Sequence, residues 1–326
     1  MRIGLVLSGG AAKGAYHVGI LKALHEHDID VDIYSGASIG ALNAVIAASA
    51  PSMAEAYQRL ELVWQDLIVN NPVKVNEKAV FISVAKALAS LAASYPNPFA
   101  RKAGTAARVV INQFTDEEGL LDDQPILDKF HQYVDLSKKA EWSDIWVSTF
   151  EGAGYEAVAE FIKNELGIDG KSASYHELKT LSDDELFETV MASAALPLLY
   201  QTRTIEGKTH YDGGIRDNTP IEKLIGKCDV CFVSHLSNGS NFNRHEYDSS
   251  ETKVIEIRPN DKFVTEEGAF SGVQSMMNFS KDKINYLSAM GYEDTVRVIK
   301  ELKRKSELEL QVENELDEID SLLAKL

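Results

Sequence analysis

The chain has 326 residues, 44 % apolar and 25 % charged, enough for one large α/β domain or two small ones around a sizeable core. A net charge of −17 argues against nucleic-acid binding through the phosphate backbone and disfavours tight attachment to anionic membranes, a local basic patch aside. No apolar run approaches the ~20 residues of a membrane span, and Met1–Leu7 reaches Ser8-Gly9-Gly10 too soon for a signal-peptide core, so a cytoplasmic protein is expected.

Ile3 to Leu7 is a short apolar run closed by Ser8-Gly9-Gly10, the pattern of a buried parallel strand. Gly14 to Glu26 reads as a helix with Val18, Leu21 and Leu24 inward. The turn between them, Gly9-Gly10-Ala11-Ala12-Lys13-Gly14, lacks the middle glycine of a dinucleotide fingerprint. It also lacks the spacing of a phosphate-binding P-loop, which needs Ser or Thr after its lysine. What remains is a loop of backbone N–H groups at the carboxyl edge of a parallel sheet, suited to a tetrahedral oxyanion.

The next strand, Val31 to Tyr34, runs into Gly36-Ala37-Ser38-Ile39-Gly40 and then an alanine-rich helix, Ala41 to Ala50. Strand, tight turn and helix push the Ser38 hydroxyl outward and aim the helix N-terminus at it, with Gly36 and Gly40 leaving room for the turn. Ser38 is therefore the candidate nucleophile. Adjacent parallel strands deliver this turn and the glycine loop to one sheet edge.

Met53 to Leu67 reads as a helix with Leu60, Val63 and Trp64 inward, and Lys78 to Ala93 as a second, packing on the core or covering the active site. Gly119 to Tyr133 carries a helix start at Pro125; Ile145 to Phe150 reads as a strand, and Tyr155–Leu166 and Asp183–Ser193 as helices. His210-Tyr211-Asp212-Gly213-Gly214 then carries a carboxylate into a glycine turn, followed by Asn218-Thr219-Pro220. Strands follow at Val230–Leu236 and Val254–Arg258. Cys228 and Cys231 form a C-x-x-C whose thiols, in a strand, would face opposite sides; buried thiols are expected rather than a metal or redox pair, with no structural disulfide.

From Tyr292 onward there is no Gly or Pro, and Val312, Leu316, Ile319, Leu323 and Leu326 repeat at heptad spacing. Glu309 and Lys305 interrupt the seam upstream, so a helix packing on its own domain and a self-associating coil both stay open. The expected division is a unit over 1–260, with a helical insertion at about 70–116, and a C-terminal helical segment over 261–326, an oligomerisation or regulatory element.

The glycine loop, the Ser38 turn and Asp212-Gly213-Gly214, in this order, resemble the patatin-like phospholipase family over roughly residues 1 to 260, with Ala192–Pro197, Asn218-x-Pro220 and Gly119–Tyr133 as supporting matches. The resemblance implies an α/β fold, a three-layer α/β/α sandwich with a mainly parallel sheet. It implies hydrolysis of a lipid acyl ester, with phospholipid or another acyl-ester lipid as substrate, at a transient membrane-surface contact and without cofactor or metal. Ser38 matches the nucleophile and Asp212 the base of a Ser–Asp dyad, Gly9, Gly10 and Ala11 match the oxyanion hole, and Lys13, Gly14, Gly36, Gly40, Gly213 and Gly214 support the motifs. Ala11 stands where many members carry glycine, and Lys13 where Arg is common. The rival arrangement is a Ser–His–acid triad using His235; His210, on the strand before Asp212, is expected to be structural. Other readings are a hydrolase silent until a ligand or partner activates it, and a scaffold on a hydrolase fold.

Overall fold

The computed structural model describes residues 1–71, 124–152, 156–157, 159–160, 163, 170–196, 202–238, 240, 242–266 and 271–323. The helix expected over Lys78–Ala93, the rest of the insertion, Gly119–Asp123 and most of Tyr155–Leu166 lie outside the described residues.

The strands are β1 (Ile3–Leu7), β2 (Ile33–Gly36), β3 (Asp144–Glu151), β4 (Ser174–Glu177), β5 (Arg203–Ile205), β6 (Lys208–Asp212), β7 (Val230–Ser234) and β8 (Lys253–Ile257). They form one sheet in the order β5-β6-β3-β2-β1-β7-β8, with β4 paired to β3. β3, β2, β1, β7 and β8 run parallel, and β4, β5 and β6 join by antiparallel pairing. The helices are α1 (Tyr16–Glu26), α2 (Ile39–Ala48), α3 (Met53–Val69), α4 (Gln124–Tyr133), α5 (Asp183–Ser193), α6 (Ser271–Met276) and α7 (Lys281–Leu323). The expected α/β architecture with a mainly parallel sheet is present.

Strand alternation sorts the core. Leu5, Leu7, Tyr34, Ile145, Val147 and Phe232 join the main cluster with α1, α2, α3 and α7. Val6, Ile33, Cys231, Val233 and Val254 instead meet Ile221 and Leu224 on the other face. The central strands are thus buried on both faces, which explains their nearly continuous apolar runs.

Some boundaries differ from the sequence pattern. Ala11–Ala15 is a 3-10 turn, and α1 starts only at Tyr16, because the glycine loop must close before the helix can begin. Helix α5 instead keeps its expected bounds, beginning at Asp183 because Ser182 and Glu185 form a reciprocal capping box, a motif worth about 1 kcal/mol.

The thiols of Cys228 and Cys231 do not face opposite sides, contrary to the strand argument. Cys228 lies before β7, where the turn lets its sulfur fold back, and both sulfurs flank Gly4 on β1. Both are free and buried.

The first half of α7 is core. Ile284, Leu287, Met290, Val298 and Ile299 are buried, and Gly291 lies so close to α1 that a Cβ there would strike the Tyr16 carbonyl. Tyr16 donates to Asp294 Oδ2 at 2.9 Å, so α1 and α7 are locked by packing and by a buried hydrogen bond. Beyond Leu302 the helix is exposed from Lys303 to Glu309. Among the described residues no helix is long and apolar enough to cross a membrane.

Candidate active site

Sheet register brings Ser38 and Asp212 to one level. Leu7 lies opposite Gly36, and Gly36 opposite Val147. Ser38 stands two residues beyond Gly36, and Asp212 pairs with Thr149, two residues beyond Val147. β1 opens the glycine loop at the same edge.

Ser38 occupies the N-cap of α2 with φ 56° and ψ −132°, a conformation that costs an L-residue roughly 1–3 kcal/mol. The surroundings enforce it. A Cβ on Gly40 would strike the Leu7 carbonyl, and one on Gly36 would lie 2.5 Å from the Gly40 carbonyl oxygen. The Ser38 N–H donates to Ser193 Oγ at 3.0 Å, at the end of α5. Only 6 % of the Ser38 surface is exposed.

Asp212 ends β6 and is buried. Its Oδ1 accepts from the Gly214 N–H at 2.7 Å, while among the described residues its buried Oδ2 has no hydrogen-bond partner. Burial pushes its pKa up to about 7, against the pull of the neighbouring Ser38 hydroxyl and the Gly214 N–H. The Ser38 hydroxyl is thus near enough to favour the carboxylate. Gly213 packs on β3, where a Cβ would strike the Ser148 carbonyl.

Asn218 ties the three motifs together. Its Oδ1 accepts from the Gly9 N–H at 3.0 Å and its Nδ2 donates to the Gly9 carbonyl at 3.2 Å. A Cβ on Gly9 would fall 2.8 Å from Ser38 Cβ, and one on Gly214 would fall 2.7 Å from Asn218 Oδ1 and 3.0 Å from Asp212 Oδ1. The Gly9 N–H, expected in the oxyanion hole, is therefore engaged inside the protein. Among the described residues nothing accepts from the N–H of Gly10 or Ala11, and both residues are part-exposed. Ala11 has φ 50°, in the left-handed region. Lys13 sits half-buried in the 3-10 turn, its N–H donating to the Gly10 carbonyl at 3.1 Å. Gly14 packs on Ile39 and Trp64, where a Cβ would meet Ile39 Cγ1 at 2.8 Å.

The histidines stand elsewhere. His235 Nε2 lies 2.9 Å from Glu256 Oε2, and its ring packs on Phe242. Burial lowers its pKa to about 3, and among the described residues no contact joins it to Ser38 or Asp212. His210 Nδ1 lies 2.9 Å from Thr149 Oγ1, which also meets His176 Nε2 at 2.8 Å. Among the described residues no group of three His, Cys, Asp or Glu side chains could hold a metal ion. Ser193 and the bridging role of Asn218 were not singled out from the sequence, although both belong to segments noted there.

The family model described as patatin-like phospholipase matches residues 5–225. A patatin-like phospholipase domain-containing protein of Caenorhabditis elegans, ZK370.4, is 57 % identical over 49 residues, 15 % of this chain and 4 % of that protein. Neuropathy target esterase sws of Drosophila melanogaster is 55 % identical over 47 residues, 14 % of this chain and 3 % of that one. Lysophospholipase NTE1 of Eremothecium gossypii is 44 % identical over 59 residues, 18 % and 4 % of the two chains. The match therefore spans only a few per cent of those relatives. Among solved structures, VipD from Legionella pneumophila aligns over 92 % of this chain and 67 % of its own, at TM-score 0.43 and 16 % identity. ExoU of Pseudomonas aeruginosa, solved with SpcU, aligns over 92 % and 52 %, at TM-score 0.36 and 15 % identity.

Proposed function

The chain belongs to the patatin-like phospholipase family, and we propose that it is a serine lipid acyl hydrolase of phospholipase A or lysophospholipase type. The observation that carries this reading is the buried Asp212 Oδ2, without a hydrogen-bond partner among the described residues, beside the strained Ser38 turn. A serine hydroxyl is a weak nucleophile until a base takes its proton. With a pKa raised to about 7, Asp212 is a far better base near neutrality than an ordinary carboxylate.

In the proposed cycle Ser38 Oγ transfers its proton to Asp212 Oδ2 and attacks the ester carbonyl carbon. The N–H groups of Gly10 and Ala11, with the N-terminus of α2, receive the oxyanion. Collapse breaks the carbonyl–alkoxy bond; the leaving alcohol takes the proton from Asp212, and an acyl-serine remains. Water repeats the sequence, giving up its proton to Asp212, and releases the fatty acid as the proton returns to Ser38. Gly9 holds the loop to Asn218 rather than donating to the oxyanion.

The test is hydrolysis of phospholipid, lysophospholipid and nitrophenyl esters by wild type and Ser38→Ala, with organophosphonate labelling mapped to Ser38. Equal, background rates across all three ester classes would overturn the reading. The 6 % exposure of Ser38 favours a second version, in which a ligand, partner or lipid surface opens the site. Activity appearing only with such an addition would support that version; full basal activity in detergent-free buffer would rule it out.

A further inference from the structure

Behind the glycine loop lies a buried polar chain that the proposed cycle does not use. The Trp64 indole Nε1, on α3, lies 3.3 Å from Asn43 Oδ1, on α2. Asn43 Nδ2 lies 3.1 Å from the Gly14 carbonyl and 3.0 Å from His17 Nδ1, on α1. His17 Nε2 lies 3.1 Å from Ser234 Oγ at the end of β7, and the Ser8 N–H donates to that same oxygen at 3.2 Å. Ser8, His17, Asn43, Trp64 and Ser234 are all at most 1 % exposed.

The chain has one direction. An indole nitrogen only donates, so the Asn43 atom facing Trp64 is the amide oxygen. The other amide atom is then the NH₂, whose two protons go to the Gly14 carbonyl and to His17 Nδ1. Nδ1 must accept, so the single proton of neutral His17 sits on Nε2 and is donated to Ser234 Oγ. Burial lowers the His17 pKa to about 3, which keeps the ring neutral.

Two members of this chain grip the two ends of the glycine loop. Ser234 holds the loop where it leaves β1, through the Ser8 N–H, and Asn43 holds it near the end of the 3-10 turn, just before α1, through the Gly14 carbonyl. Asn43 also rides on α2, five residues after Ser38. We infer that His17 is a positioning residue: as the link between Ser234 and Asn43, it sets the distance between the Gly10 and Ala11 N–H groups and the Ser38 nucleophile. This inference rests on the hydrolase reading. A donor displaced by a fraction of an ångström loses most of its effect on a transition state while substrate binding is little changed.

The experiment compares the 326-residue wild type, His17→Phe, His17→Gln and Ser234→Ala on a nitrophenyl ester, with melting temperature and circular dichroism as folding controls. Phenylalanine fills the ring space without either nitrogen, and kcat should fall about 100-fold, the scale of one lost oxyanion donor, with KM within about twofold. Glutamine can still donate toward Ser234 and should recover at least about a tenth of the wild-type kcat. Ser234→Ala, which keeps the histidine, serves if His17→Phe does not fold, and should lower kcat about tenfold. Nitrogen spectra of histidine-labelled wild type should show His17 as the Nε2–H tautomer. A folded His17→Phe or Ser234→Ala with wild-type kcat, a loss confined to KM, or an Nδ1–H ring would overturn the inference and leave the hydrolase intact. Wild type that neither hydrolyses esters nor labels at Ser38 would overturn the hydrolase reading itself, and the inference with it.

Discussion

Gly9 and Ser38 approach so closely that a methyl group on Gly9 would sit 2.8 Å from Ser38 Cβ, while also running into Asn218 Oδ1. The glycine is thus required for the nucleophile turn and the glycine loop to share one sheet edge, a reason separate from any donated hydrogen bond. Gly9→Ala should fold, since Asn218 is exposed and its amide can swing aside. The loop would then lose both bonds to Asn218 and shift away from Ser38. Ester hydrolysis should drop about 100-fold, with a lowered melting temperature, because two hydrogen bonds are lost and the loop must move off Ser38 Cβ. Hydrolysis equal to wild type would mean that the loop does not set the geometry of Ser38.

Ala11 carries φ 50°, where a Cβ costs roughly 1–2 kcal/mol. Ala11→Gly relieves that strain but makes the unfolded chain more flexible, which takes back up to about 1 kcal/mol. The net expectation in denaturant titration is a gain between zero and about 2 kcal/mol. The Ala11 N–H is unchanged, so kcat should stay within about twofold. A large loss of activity would show that the alanine methyl itself shapes the site.

Most of what positions the site was legible because it is written in glycines and strand ends. The Gly36-x-Ser38-x-Gly40 turn, the alternation in β1 and β2, and Asp212 before two glycines each have a local steric cause that sequence exposes. The clamp by Asn218, the Ser193 hydroxyl on the Ser38 N–H and the His17 chain are long-range: Gly9 and Asn218 are 209 residues apart, Ser8 and Ser234 226 apart. Such contacts follow from the order of strands in the sheet, which composition and periodicity do not encode. The same limit explains the cysteines. Treating Cys228 as part of a strand put its thiol on the wrong side, because the turn before β7 leaves no periodic mark. It also explains Gly9, whose N–H could be assigned an acceptor only once Asn218 was seen beside it.

The exposed end of α7 carries Leu308 and Leu316 at 50 % and 55 % exposure, the second of them a member of the heptad repeat. Lys303, Arg304 and Lys305 form a basic block there, and Asp317, Glu318 and Asp320 an acidic one. Two copies aligned antiparallel would set each basic block against the other's acidic block, whereas a parallel pair would stack like charges. The 326-residue chain should therefore sediment as a dimer whose dissociation increases with salt, and a chain ending at Ser306 as a monomer. Hydrolysis and melting should be retained in the shortened chain, because the core contacts of α7 end near Ile299 and Leu302. Identical sedimentation of the two would exclude this helix end from assembly.

Asp212 links activity and stability to pH in opposite senses. As the base it must be ionised, so hydrolysis should rise with pH through about 7. Its folded pKa lies above the unfolded value of about 3.9, so between those values the native state holds more protons than the unfolded one. Linkage then makes this group's contribution greatest below pH 4 and progressively lost as pH rises towards 7, by about 2–4 kcal/mol in all. Asp212→Asn keeps an oxygen for the Gly214 N–H and removes the buried charge. It should abolish hydrolysis and yet raise the melting temperature at pH 8, with little change at pH 4. The reverse result, an asparagine variant less stable at pH 8 than at pH 4 relative to wild type, would show that the carboxylate is stabilised in the folded protein. Asp212 would then titrate well below neutrality and be too weak a base for the proposed cycle.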